Sequence, residues 1–264
     1  MSAGWVAGPL GDAARTAGLR LFCFAHAGGG PSFFRTWRQA LTPAVDVRPV
    51  LLPGRESRVR ELPYRRMEQL LDPLCAALVP YLDRPYALFG HSLGSVIAYE
   101  AARRLAAGGV WPPSALLVSG RRAPGVPARR RAFSALPEPE FLAAIAALNG
   151  TPPEVLGQPQ LLQLLLPTLR ADFELNETYR PVPGPPLGCP LTAYMGLDDP
   201  EVNAAELLAW RTETSAEFTL RTFPGDHFYL RAGRPDVVSA VRQDLSRANA
   251  ATTAAFDWSH HPVR

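Results

Sequence analysis

Gly90-His91-Ser92-Leu93-Gly94 sets a serine midway between two glycines, after the apolar run YALFG and before the amphipathic run SVIAYEAARRL. A G-x-S-x-G segment between a strand and a helix is a nucleophile elbow, with the serine Oγ at the tip of a sharp turn. A Cβ two residues before or after the serine would strike the neighbouring strand or helix, so both positions require glycine. The chemistry this permits is acyl transfer, the hydroxyl attacking a carbonyl carbon, and for that the serine needs a base. The histidines are His26, His91, His227, His260 and His261. His91 lies inside the elbow and points away from Ser92, His26 belongs to the loop after the first strand-like run, and His260 and His261 fall in a terminal stretch. His227, in Gly225-Asp226-His227-Phe228, follows the last strand-like run and is the candidate base.

An orienting carboxylate belongs between nucleophile and base in the chain order Ser, Asp, His. Gly196-Leu197-Asp198-Asp199-Pro200 supplies two. Asp199, three residues after the turn glycine, is preferred as the acid; Asp198 is its rival, with helix capping or turn formation as the alternative duty of either. Asp226 reads as a turn residue. An acyl-transfer site also needs donors aimed at the developing oxyanion. The loop His26-Ala27-Gly28-Gly29-Gly30, directly after LFCFA, offers the Ala27 N–H, and Leu93, just after the nucleophile, offers the second. A glycine-rich loop after a strand could instead cradle a phosphate, but G-x-G-x-x-G spacing and an acidic ribose partner are both missing.

Composition removes other chemistries. All 27 basic residues are arginine, which excludes lysine Schiff bases, a Walker P-loop and a serine-lysine dyad. A net charge of +3 without a basic, aromatic-interleaved stripe argues against nucleic-acid binding. Cys23, Cys75 and Cys189 are odd in number and far apart, suggesting neither disulfides nor a metal site. No long apolar run and no secretory signal is visible, so cytoplasmic residence is expected. No metal or bound cofactor is expected. A monomer is the default expectation.

The elements that must position these groups alternate as strand and helix. Strands are expected near 19–25, 45–52, 86–90, 115–120, 190–196 and 218–224, with helices in most gaps and a closing helix near 235–248. That pattern predicts an α/β fold, a mostly parallel central sheet flanked by helices. From about Arg129 to Pro186 only helix-like runs occur, and their apolar residues exceed what one helix face needs to cover a sheet. The division expected is a core of residues 1–128 and 187–250, a helical lid insertion over 129–186, and a flexible tail over 251–264.

Taken together, LFCFAHAGGG, LLPGRESR, LFGHSLGSVIAYEAARRL, LPEPEFLAAIAALNGTPPEVL, LLLPTLRADFELNETY, GLDDP and FPGDHFYL resemble the stand-alone type II thioesterases of polyketide and nonribosomal peptide pathways, from about residue 19 to 246. The PGR and LRADF blocks are not general hydrolase features. The resemblance implies an α/β-hydrolase fold and hydrolysis of acyl or aminoacyl groups from the phosphopantetheine arms of carrier proteins, clearing stalled or misprimed chains. It implies Ser92, Asp199 and His227 as the triad and Ala27 and Leu93 as oxyanion donors. Ala25 departs from a proline common before the histidine, and Leu93 from a frequent methionine; neither change removes a catalytic group.

Other functions are conceivable on this scaffold: a general carboxylesterase, a chain-releasing thioesterase or cyclase, or a non-catalytic binding protein. The core begins within about 20 residues of Met1, so an upstream carrier domain of the kind a cyclase would follow is not expected. A binding protein need not keep serine, acid, histidine and oxyanion loop together. Arg121, Arg122, Arg129, Arg130 and Arg131 gather between a core strand and the lid, where they could dock an acidic carrier or merely solvate a loop.

Overall fold

The computed structural model describes residues 4–8, 11–12, 16–148, 158–231 and 234–255. Six parallel strands form one sheet: β1 (Leu19–Phe24), β2 (Val45–Pro49), β3 (Tyr86–His91), β4 (Ala115–Ser119), β5 (Leu191–Gly196) and β6 (Phe218–Phe223). Their order is β2-β1-β3-β4-β5-β6. β1 to β5 are buried along their whole length; β1, β3, β4 and β5 accordingly read in sequence as nearly continuous apolar runs, whereas in β2 the buried Asp46 and Arg48 pair with each other.

Alternation along each strand feeds two cores. Phe22, Phe24, Leu88 and Val118 pack with α2 (Met67–Leu78) and α3 (Leu93–Ala107) on one face. Leu21, Cys23, Phe89 and Leu117 pack on the other, with Trp37 of α1 (Arg35–Leu41) and Val237, Val241 and Leu245 of α7 (Pro235–Ala255). A parallel sheet covered on both faces by helices is the α/β-hydrolase arrangement the sequence leads one to expect. The closing helix is longer than 235–248: it continues through Ala255, so the first residues assigned to the tail are helical. Continuation costs little there, because Ala250, Ala251, Ala254 and Ala255 favour helix and no glycine or proline intervenes. The rest of the tail assignment, 256–264, with His260 and His261, lies outside the described residues.

Between β4 and β5 the chain forms α4 (Glu138–Ala147) and α5 (Pro159–Thr178). These helices have an apolar cluster of their own, in which Phe141, Ile145 and Leu169 are buried with Phe133, Leu136, Leu165, Leu166 and Phe173 against them. The short α6 (Ala204–Leu208) follows β5 and is closed at its start by a capping box, the Asn203 side chain accepting from Glu206 N–H while the Glu206 carboxylate accepts from Asn203 N–H.

The strand order reverses direction beside β1, between β2 and β3. In parallel sheets ligands bind beyond the carboxyl ends of the strands at such a switch point. The glycine loop follows β1 and Ser92 follows β3, so the two segments chosen for their chemistry emerge side by side there.

Candidate active site

Ser92 is where the elbow argument requires strain: its φ is 56° and ψ −117°. The glycines around it explain themselves. A Cβ on Gly90 would lie 2.1 Å from the Gly94 carbonyl oxygen, and one on Gly94 would lie 2.2 Å from that of Phe24. The elbow is wedged between the end of β1 and the first turn of α3. Ser95 holds it from beneath, its single hydroxyl proton shared between the Gly90 and Ser119 carbonyls (2.8 and 3.0 Å).

The acid loop separates the two aspartates. Asp198 is exposed, whereas Asp199 is turned inward and accepts a hydrogen bond at Oδ2 from His227 Nδ1 (2.8 Å). Its other oxygen accepts from the Glu201 N–H (2.8 Å), so the carboxylate is fixed at both ends. Gly196 is required because a Cβ would lie 2.3 Å from the Asp226 carbonyl, which brings the acid loop directly against the histidine loop. Asp226 accepts from Phe228 N–H (2.8 Å), the turn duty expected of it.

The His91 ring is buried, its Nδ1 is 3.0 Å from Ser119 Oγ, and its centroid is 5.0 Å from that of His227. Burial lowers its pKa well below the ordinary imidazole value, and the neighbouring His227 and His26 add to this. His26, edge-on to Phe33 and Phe228, is lowered to about 3 by burial first and by His227 second. Both rings are therefore neutral at working pH.

Ser92, His227, Ala27 and Gly120 share one cavity of about 580 Å³. Ile145, Leu148, Leu169 and Phe173 of the helical insertion form an apolar part of its wall, and arginines 121, 122 and 129–131 line another. Serine, a histidine oriented by a carboxylate, and the N–H groups following β1 and opening α3 are the parts of a covalent acyl-transfer site.

Sequence reasoning named the PGR and LRADF blocks but gave them no task. In the fold, Arg55 and Asp172, 117 positions apart, make a two-pronged ion pair: Nη1 to Oδ2 and Nη2 to Oδ1, both 2.8 Å. Asp172 Oδ2 also accepts the Gly28 N–H (2.7 Å), and Arg55 Nη1 donates to the Gly29 carbonyl (3.2 Å). Leu169, on the same helix as Asp172, packs where a Cβ on Gly28 would be, and Gly28 has φ +76°. The loop carrying Ala27 is thus held by the insertion from above and by the PGR turn from the side. The signal available in sequence was an Arg and an Asp in unusual blocks; their pairing depends on the tertiary path. Arg55→Ala or Asp172→Ala should leave an uncompensated buried charge, costing about 3–5 kcal/mol of stability. Below the lowered Tm, each variant should lose up to about 100-fold in kcat through a misplaced oxyanion loop. Thermal denaturation and steady-state kinetics on a small thioester check this; full activity with a lowered Tm would make the pair merely structural.

A family model described as a thioesterase domain matches residues 19–245. Among curated relatives, thioesterase PikA5 of Streptomyces venezuelae is 40% identical over 233 residues, covering 88% of this chain and 83% of the relative. Linear gramicidin dehydrogenase LgrE of Brevibacillus parabrevis is 40% identical over 232 residues, covering 87% and 88%. Among solved structures, the type II thioesterase BorB from the borrelidin biosynthetic cluster superposes with a TM-score of 0.80 at 38% identity, covering 91% of this chain and 97% of its own.

Proposed function

The chain belongs to the thioesterase family and is a thioester hydrolase, and from that premise we propose that it removes acyl or aminoacyl groups from the phosphopantetheine arms of polyketide or nonribosomal peptide carrier proteins. The observation that carries this reading is the His227–Asp199 pair opening, with Ser92, into a cavity that is apolar on one side and basic on another. Ser92 Oγ attacks the thioester carbonyl while His227 Nε2 takes its proton. The tetrahedral oxyanion is received by the Ala27 and Leu93 N–H groups. Collapse expels the pantetheine sulfur, which takes the proton from His227. Water, deprotonated by His227, then attacks the acyl-enzyme, releasing the carboxylic acid and restoring Ser92.

The apolar wall from α4 and α5 suits the acyl chain, and these helices act as a lid over it. The name of the Brevibacillus relative speaks of a dehydrogenase; here the glycine loop lacks the G-x-G-x-x-G spacing, and a neutral His26 lies against it. No helix among the described residues is long and apolar enough to cross a membrane, and cysteines 23, 75 and 189 are free, in keeping with work in the cytoplasm. A hydrolysis panel of acetyl, propionyl, longer acyl and aminoacyl groups, each loaded on a carrier protein, tests the reading. Release of free acid from several of them is expected, and no release from any would overturn it.

The arginine-rich segment is now divided. Arg129 is paired to Glu206 through two bonds (2.7 and 2.6 Å), and Arg130 to Glu201 (2.5 Å). All three of Arg129, Arg130 and Arg131 are exposed at the cavity rim. Rim charges act on encounter and salt dependence more than on chemistry. Arg130→Ala/Arg131→Ala should therefore raise KM for a carrier-bound substrate, increasingly at low salt, and spare pantetheine thioesters. Equal effects on both substrates would remove these arginines from carrier docking.

A further inference from the structure

Arg121 differs from its neighbours. It is only 7% exposed, yet it lines the cavity that holds Ser92 and His227. Its backbone is pinned, because the carbonyl accepts from the indole N–H of the fully buried Trp210 (2.7 Å) and the preceding Gly120 N–H donates to Tyr194 (2.9 Å). Gly120 lies against the histidine, for a Cβ there would be 3.1 Å from His227 Cε1. Arg121 thus begins one residue from the reacting centre.

The other arginines here are occupied or solvated: Arg122 donates to the Val126 carbonyl, Arg129 and Arg130 have their glutamates, and Arg180 donates to the Glu177 and Tyr179 carbonyls. The Arg121 guanidinium makes no hydrogen bond or ion pair with any described residue, and its Nε is sealed from solvent without a partner. The Arg122 guanidinium repels it, and the Tyr179 hydroxyl nearby is already given to Glu100 (2.5 Å). Burial pulls its pKa down to about 9, which leaves it protonated at neutral pH. A desolvated cation without a carboxylate is costly to the fold, and such groups persist where a ligand supplies the counter-charge.

We propose that Arg121 is an anion subsite of the substrate cavity, receiving an anionic oxygen group of the thioester substrate on its planar fork. The proposal rests on the thioesterase reading and specifies which substrates the cavity favours. Two parts of a carrier-bound thioester present such oxygens: a carboxylate on the acyl group itself, and the phosphate at the far end of the pantetheine arm. The chemistry is the same, so the experiment must tell them apart.

Two matched pairs of soluble thioesters do this. Butyryl- and succinyl-N-acetylcysteamine differ by an acyl carboxylate; butyryl-pantetheine and butyryl-4′-phosphopantetheine differ by a phosphate. Wild type should show a KM lower by about tenfold or more for the anionic member of one pair. Arg121→Met should collapse that ratio towards one, and Arg121→Lys should restore part of it. The pair that responds identifies the source. The proposal is overturned if wild type shows no preference in either pair, or if Arg121→Met changes both members of each pair by the same factor. Should wild type turn over none of the four, the thioesterase reading is what fails; calorimetric binding of succinate and 4′-phosphopantetheine to wild type and Arg121→Met then still decides for or against the subsite.

Discussion

Ser92→Ala is expected to lower kcat for thioester hydrolysis by on the order of 10³-fold or more, since a triad without its nucleophile keeps only the catalysis its oxyanion donors and binding provide. The variant should fold. The change removes one oxygen from a side chain at the mouth of a cavity and leaves Gly90, Gly94 and the Ser95 bonds that define the elbow. Rates by free-thiol release, with circular dichroism on the same samples, check both halves. Near wild-type turnover from a folded Ser92→Ala would remove the serine from the mechanism.

The second large effect separates two adjacent carboxylates. Asp199→Asn should reduce kcat by about 10³–10⁴-fold, because the amide neither holds His227 in the tautomer that presents a free Nε2 nor stabilises the imidazolium formed in each step. Asp198→Asn should be nearly silent, since Asp198 is exposed and its N–H, which donates to the Gly225 carbonyl (3.0 Å), is untouched. Among the described residues no other carboxylate hydrogen-bonds to His227 to compensate. The two variants assayed side by side decide the matter; a dead Asp198→Asn would move the acid by one residue.

What could be read from the sequence, and what could not, follows from the range of the interactions involved. Most strands stood out because β1, β3, β4 and β5 are buried on both sides and are largely apolar runs closed by glycine, proline or a polar turn. The elbow was legible because its steric demands fall on glycines two residues away, within a single local motif. Asp199 could be preferred over Asp198 only by its distance from Gly196; the inward turn that settles their exposure comes from the contact between Gly196 and the Asp226 carbonyl, thirty residues on. The Arg55–Asp172 clamp was illegible, because an ion pair across 117 residues leaves no periodicity or spacing to detect. The arginines after β4 looked alike in sequence. Their different fates depend on Glu201 and Glu206, brought in from beyond β5, and on the Trp210 indole that fixes Arg121.

The most direct test presents one acyl group in three ways to the same enzyme: on the pantetheine arm of a carrier protein, on free pantetheine, and as an oxygen ester of similar size. Initial rates at matched concentrations give kcat/KM for each. A thioesterase that uses the basic rim and the apolar wall together should rank carrier thioester above free thioester, and both well above the oxygen ester. An oxygen ester cleaved as fast as the carrier-bound thioester would contradict the account and leave a general carboxylesterase in its place.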